Sequence, residues 1–285
     1  MTATASPANT VSLPAPRVAR LPKVVPATIA LAWAATIAVH ATGLAHRVHH
    51  DELLGGHHAA SDTMAGMPDM PGMVHDHGGH AAHAASFADF ALYGAVWTLM
   101  ITAMMLPTAL PLMRLFVQAT ASAASRRVGL AAFAAGYLAI WSLMGWVALG
   151  VDKTVHIVVH DIPWLDERSW LVAAGILALA GAFQFSELKD RCLTECRHPG
   201  AFLLRYYRRG SDGAFLLGWR HGVFCIGCCW ALMFVMFAAG AAMLWWMVAL
   251  TAVMAYEKLG RHGARIAPDV GITLLLLAGV VAVRG

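Results

Sequence analysis

Residues 222–256 read GVFCIGCCWALMFVMFAAGAAMLWWMVALTAVMAY, a run of 35 residues without a charged side chain. As one α-helix this run would be about 50 Å long, well beyond the ~30 Å hydrocarbon core of a bilayer. The small residues Ala239 and Gly240 lie near its middle. We therefore predict a break there and two shorter spans, 221–238 and 241–257. The second is short enough that a re-entrant element is the alternative.

The rest of the chain has the same apolar character. It is 59% hydrophobic and 13% charged, with a mean hydropathy of +0.63, which excludes a soluble domain of this length. Five more apolar runs approach the ~20 residues that cross a bilayer: 25–45, 88–113, 128–151, 168–186 and 269–284. The sequence thus predicts an all-α, polytopic transmembrane helix bundle of about seven spans in a bacterial inner membrane. For run 25–45 a cleaved signal peptide is the alternative.

The distribution of basic residues predicts the orientation. With the N-terminus inside, 16 of the 20 Lys and Arg fall in inside segments, and Arg47, Lys153, Arg168 and Arg284 fall outside. Cytoplasmic loops carry such an excess, so the N-terminus is predicted to be cytoplasmic. The basic residues are spread over loops and the net charge is only +4, so nucleic acid is not a predicted partner.

This orientation divides the chain into four parts. Residues 1–24 form a polar, Pro-rich cytoplasmic N-terminus and 25–45 the first transmembrane helix. Residues 46–87 form a His/Met-rich extracytoplasmic loop, and 88–285 form the membrane core, which includes a cytoplasmic Cys loop at 187–220.

Two tight groups contain all five cysteines of the chain: Cys192 and Cys196, then Cys225, Cys228 and Cys229. On helices, each group presents its sulfurs on one face, and the charge distribution places both groups at the cytoplasmic side. Thiolates select Cu(I), with Zn(II) and iron–sulfur clusters as alternatives. The structural alternative is that the cysteines are small hydrophobes in helix packing. A permanent disulfide is disfavoured in a reducing compartment, whereas transient dithiol–disulfide exchange stays open.

The predicted outer loop is rich in two other kinds of metal ligand. Thioethers suit Cu(I), and clustered imidazoles suit Cu(II), Zn(II) or Ni(II). The pattern predicts an extracytoplasmic copper-capture loop, with a solvated low-complexity linker as the alternative. The candidate ligands are Met64, Met67, Met70, Met73, His75, His77, His80 and His83.

The second span contains a methionine group beside two prolines. Met100 and Met104 share a helical face, and Met105 follows directly. Pro107 and Pro111 are expected to kink this helix and free backbone carbonyls. The three methionines are candidates for a relay of a soft cation, although methionine also packs well in helix bundles.

Few ionisable side chains fall within the spans. His40 and Glu187 are minor candidates for functional groups. Glu257 and Lys258 end the sixth span and are expected to form an interfacial pair. His198 and His221 flank the cysteine groups and are candidate nitrogen ligands.

Three stretches resemble the bacterial family DUF2182, which is described as predicted metal-binding integral membrane proteins. They are MMLP at 104–107, QFSELKDRCLTECRHP at 184–199 and GVFCIGCCWALM at 222–233. The resemblance covers roughly residues 90–260 and implies metal binding by the cysteines. It supplies no mechanism, and the His/Met-rich loop is an addition of this chain.

The pattern as a whole predicts a metal-handling membrane protein that binds copper for transport, sensing or delivery. A metallochaperone or a cupro-enzyme is the predicted protein partner. A membrane thiol redox enzyme, or a subunit of a redox complex, is one alternative. An assembly factor for a cupro-enzyme is another. Enzymatic activity is the less favoured interpretation, no catalytic residue is assigned, and the sequence indicates no oligomeric state.

Overall fold

The computed structural model describes residues 21–42, 87–120, 123–168, 170–238 and 244–284. Within these ranges the chain is helical and has no strand, which confirms the predicted all-α class. The helices are α1 Val24–Ala41, α2 Phe87–Met104, α3 Leu106–Ala119, α4 Ala123–Asp161, α5 Pro163–Asp166, α6 Trp170–Phe183, α7 Glu187–Arg197, α8 Pro199–Tyr206, α9 Ser211–Ala238, α10 Leu244–Leu259 and α11 Gly263–Arg284.

Four stretches of these helices are long and apolar enough to cross a membrane. They are Val24–Ala41, Ser125–Val159, Ser211–Met236 and Gly263–Arg284. Two bent helix pairs, α2 with α3 and α6 with α7, raise this number to six if each pair is one span. The predicted multi-pass character is therefore confirmed at four to six candidate spans in the described ranges, and the number seven stays a prediction.

The apolar run 222–256 lies in two helices. α9 ends at Ala238 and α10 begins at Leu244, on either side of the predicted break. α10 has 16 residues, which corresponds to about 24 Å and falls short of a ~30 Å hydrocarbon core. α10 is therefore not among the candidate spans.

Two sharp bends shape the bundle. α2 and α3 meet at 64° around Met105, two residues before Pro107, as the paired prolines predicted. α6 and α7 meet at 63° across residues 184–186, where the Ser186 side chain accepts a hydrogen bond from the backbone N–H of Lys189 and caps α7. Each bend turns the chain toward the middle of the bundle.

α9 is the central helix, and α4, α6 and α7 all pack against it. Its most extensive interface is with α4, where glycines let the two backbones touch. A Cβ atom at Gly136 would clash with the carbonyl of Phe215, and one at Gly218 would clash with the carbonyl of Phe133. Small residues commonly mediate such close helix pairs in membranes. This packing fixes the position of the cysteine-bearing face of α9.

Candidate metal centre

Two helices carry the five cysteines and place them against one another. Cys192 and Cys196 lie one turn apart on α7, and Cys225, Cys228 and Cys229 share a face of α9. All five are buried, and none is in a disulfide. The side chains of Cys196 and Cys228 are close enough to interact electrostatically, so the thiols of the two helices face one another. These five residues are called the thiol cluster below.

The close approach of α7 to α9 depends on Gly227. A Cβ atom at this position would lie 2.5 Å from the Sγ atom of Cys192, a distance that real Cβ atoms do not adopt. The glycine between Cys225 and Cys228 therefore leaves the space that the Cys192 side chain occupies.

The bend between α2 and α3 brings Met105 to the thiol cluster. The Tyr137 hydroxyl of α4 donates to the backbone carbonyl of Met105 at 3.2 Å and lies 3.1 Å from the Sγ atom of Cys225. The Thr108 hydroxyl donates to the same carbonyl at 2.7 Å. Tyr137 thus ties the bend to the thiol cluster.

Lys258 of α10 extends its ammonium group among the sulfur atoms. Its Nζ atom lies 2.9 Å from the Sγ atom of Cys225, 3.6 Å from that of Cys229 and 3.8 Å from the Sδ atom of Met105. Lys258 is 5% exposed. A buried ammonium group therefore lies among three soft donor atoms.

A second buried lysine is neutralised within the protein. The Nζ atom of Lys189 on α7 lies 2.7 Å from the Oε2 atom of Glu257 on α10, and the two side chains are 0% and 2% exposed. The Arg197 guanidinium donates to the backbone carbonyl of Glu257. These contacts fasten the cysteine-bearing α7 to the end of α10.

The expected interfacial pair of Glu257 and Lys258 is wrong. Both side chains are buried, and each points to a different partner: Glu257 to Lys189, and Lys258 to sulfur. The physical reason is that α10 buries Met247, Leu250 and Met254 one to three turns earlier. Positions 257 and 258 continue that same helical face into the bundle.

Two buried polar side chains near the bends lack hydrogen-bond partners. Gln184, at the bend between α6 and α7, is 2% exposed, and neither its Oε1 nor its Nε2 atom has a partner in the described part of the chain. His221 packs against Tyr137 at 5.9 Å between ring centroids, and its Nδ1 atom has no partner among the described residues.

The thiols lie close together without forming a finished metal site. Within the described ranges, no group of three or more His, Cys, Asp or Glu side chains has the geometry of a metal site. The reason lies on α9, where the thiols of Cys228 and Cys229 both donate to the carbonyl of Cys225, at 3.1 and 2.9 Å. The sulfurs of neighbouring residues thus point along their own helix.

The other predicted ligands differ in burial and in the residues they contact. Met104 is fully buried and Met100 partly so, both on α2, whereas Met105 contacts the Lys258 ammonium directly. His198, between α7 and α8, is exposed, and its Nδ1 atom lies 2.8 Å from the carbonyl oxygen of Thr194 on α7. The ligands predicted in the outer loop lie outside the described residues: Met64, Met67, Met70, Met73, His75, His77, His80 and His83.

The roles of Lys258, Lys189 and Tyr137 were not predicted from the sequence. A signal existed for Lys258, because residues 247, 250, 254, 257 and 258 repeat at helical spacing and all are buried. For Tyr137 no local signal exists, since it is 88 residues from Cys225 in the chain.

Comparison with known families agrees with a soft-metal interpretation of these donors. A family model described as "PpoB2: Copper chaperone" matches residues 94–281. This range includes the thiol cluster, Met105 and Lys258, and it covers all three stretches that resemble DUF2182. No curated protein and no solved structure shows significant similarity to the chain. Because the matched range is well over half of the sequence, the chain belongs to the PpoB2 copper chaperone family.

Proposed function

We propose that the chain binds Cu(I) as cargo at the thiol cluster, with Met105 as an additional thioether ligand. The observation that carries this proposal is the burial of five thiols on facing sides of α7 and α9, with the Lys258 ammonium in contact with both Cys225 and the Met105 sulfur. Thiolates and thioethers favour Cu(I) over harder cations, and the site is buried from water. The copper chaperone family supports the choice of metal. Zn(II) and iron–sulfur clusters become the alternatives that metal analysis will distinguish.

Pairs of sulfur atoms are the simplest binding units in this arrangement. Cys225 and Cys229 share the Lys258 ammonium, and Cys196 and Cys228 face one another across the helix interface. A two-coordinate Cu(I) ion needs only two thiolates, so either pair supplies enough ligands after a rotation about Cα–Cβ. Cys192 lies beside the second pair and completes a three-sulfur site.

The proposed route connects the outer loop to this cluster. In the orientation predicted by the basic residues, the N-terminus is cytoplasmic, the loop at 46–87 faces the outside of a bacterial inner membrane, and the cysteines lie at the cytoplasmic side. Met100 and Met104 follow one another along α2, and Met105 comes next at the bend. The contact of Met105 with Lys258 supports its place as the last of the three.

The family description favours delivery over sensing or pumping. The protein is then a copper donor or acceptor for a protein partner, either a cupro-enzyme that receives the ion or a soluble metallochaperone that exchanges it. Delivery to a cupro-enzyme and assembly of that enzyme are, on this proposal, the same activity.

Metal analysis of the purified full chain tests the proposal. We expect wild-type protein from copper-supplemented cells to contain about one or two copper atoms per chain. Changing the five cysteines to serine should reduce copper to the background level, because serine oxygens bind Cu(I) poorly. Deletion of residues 46–86 should leave the copper of the thiol cluster in place at saturating copper and lower it when copper is limiting.

The matched control uses two buried methionines. Met105→Leu should lower copper content, whereas Met247→Leu, on α10, should not change it. Unchanged copper content in the five-serine variant would show that the thiol cluster is not the copper site. If that result came with reversible oxidation of the cysteines in a thiol-trapping assay, the thiol redox alternative would be favoured instead. Cys196 and Cys228, which face one another on α7 and α9, are the pair that such oxidation would link.

A further inference from the structure

The carboxylates beside the thiol cluster do not balance the buried lysines. Among the described residues, the buried side chains with full charges are Lys189, Glu257 and Lys258. Lys189 and Glu257 neutralise each other at 2.7 Å, which leaves the positive charge of Lys258 without a carboxylate. A buried charge is costly unless it is paired. The groups within reach of this ammonium are the sulfur atoms of Cys225, Cys229 and Met105.

Other ionisable groups near the cluster do not remove this charge. Arg197 donates to the backbone carbonyls of Glu257 and Arg261 and adds no negative charge. Glu195 pairs with the exposed Arg205 at 2.8 Å. His221 packs among aromatic rings, including those of Tyr137 and Phe202. Lys258 therefore has no carboxylate partner among the described residues, and the thiols of Cys225 and Cys229 are the groups in reach that can supply a negative charge.

A fixed positive charge affects monovalent and divalent ions differently. Cu(I) with two thiolates carries a net charge of −1, which the Lys258 ammonium neutralises. A divalent ion with the same two thiolates is neutral, so the ammonium would remain unpaired in a buried site. Low effective dielectric makes this difference large at distances of about 3–4 Å.

We propose that Lys258 is a specificity-determining residue that makes the centre selective for monovalent soft cations, Cu(I) and Ag(I), over divalent ones such as Zn(II) and Cd(II). Its ammonium acts as the built-in counter-ion of an anionic bis-thiolate complex at Cys225 and Cys229. This inference rests on the proposed function, since it takes the thiol cluster as the binding site. Thiolates alone bind all of these ions well, and the charge of Lys258 supplies the reason why the centre prefers the monovalent ones.

Competition between Ag(I) and Cd(II) tests the inference. The purified full chain is dialysed against equal concentrations of the two ions in buffered form, and the bound Ag:Cd ratio is measured by mass spectrometry. We expect Lys258→Met to lower this ratio by at least about tenfold relative to wild type, because the bis-thiolate silver complex loses its counter-charge. Lys258→Arg, which keeps the charge, should retain the wild-type preference.

The matched control removes the neighbouring charges that already balance. The double variant Lys189→Met with Glu257→Gln removes a positive and a negative charge together and should leave the Ag:Cd ratio within about twofold of wild type. Lys258→Gln also removes the charge but is polar. Its Ag:Cd ratio is measured if Lys258→Met does not yield monodisperse protein.

The outcomes separate the inference from the proposed function. An unchanged ratio in Lys258→Met and Lys258→Gln overturns the inference, and so does an equal loss of both ions, which would show that Lys258 acts only on the structure. The thiol cluster itself is wrong as the site if wild type binds neither ion. It is also wrong if the variant with all five cysteines changed to serine binds both ions as well as wild type does.

Discussion

Lys189 and Lys258 are two buried lysines whose ammonium groups contact different kinds of partner. Lys189 pairs with a carboxylate, whereas Lys258 contacts only sulfur among its described partners at hydrogen-bonding distance. Breaking a buried ion pair by removing one partner is strongly destabilising, because the other charge stays buried alone. At the scale of single residues, the Lys189–Glu257 pair is therefore structural, and it holds α7 against α10.

Glu257→Gln tests this structural role. We expect it to lower the free energy of unfolding by about 3–5 kcal/mol, because Lys189 remains buried without a negative partner. The midpoint of thermal unfolding in detergent measures the change.

An exposed pair on α7, the helix that carries Lys189, is the control for Glu257→Gln. Glu187 and Arg191 are 87% and 79% exposed, so Glu187→Gln should leave the unfolding midpoint nearly unchanged. Equal effects of the two substitutions would contradict the assignment of a structural role to the buried pair.

At the scale of helices, the centre depends on two bends and one glycine. The bend at Met105 places a thioether beside the cysteines of α9, and the bend at residues 184–186 turns α7 so that Cys192 and Cys196 face the same helix. Gly227 then lets α7 come close. The prolines signal the first bend in the sequence, but neither their number nor their spacing specifies which side chain the bend delivers.

Gly227→Ala should loosen the contact between α7 and α9. The added Cβ atom would overlap the Sγ atom of Cys192, and we expect a loss of about 1–3 kcal/mol of stability, as for other overpacked sites. Because α7 must shift, Cys192 should also react faster with a maleimide reagent. Thermal unfolding and the rate of thiol labelling measure the two effects.

Gly175→Ala is the matched control, since a Cβ atom there meets nothing within 4 Å on a helix of the same bundle. It should change neither the unfolding midpoint nor the labelling rate. A Gly227→Ala variant that behaves like this control would show that the close approach of α7 to α9 does not depend on Gly227.

At the scale of the whole molecule, several helices meet at one buried point. α3 follows the bend at Met105, α4 supplies Tyr137, α7 and α9 supply the thiols, and α10 supplies Lys258. A copper chaperone of this construction holds its proposed ligands away from water on a rigid bundle. The proposed orientation puts this centre at the cytoplasmic side of the membrane.

Labelling of introduced cysteines tests the proposed orientation. Ser61→Cys, in the loop, should react with a membrane-impermeant maleimide on intact cells, because the loop is proposed to face outward. Ser211→Cys, at the exposed start of α9, should react only after the membrane is opened. The native cysteines are at most 8% exposed and should give little background. The reverse pattern would invert the proposed orientation.

The sequence alone determined the helical class, the membrane character and the two thiol stripes. These properties depend on local composition and on i, i+3 and i+4 spacing, which a helix expresses wherever it packs. Only the tertiary structure decided that Met105, Tyr137 and Lys258 meet Cys225. Lys258 is 33 residues from Cys225 and 153 from Met105 along the chain. Such contacts depend on how helices bend and cross, and an apolar repeat does not specify which faces meet.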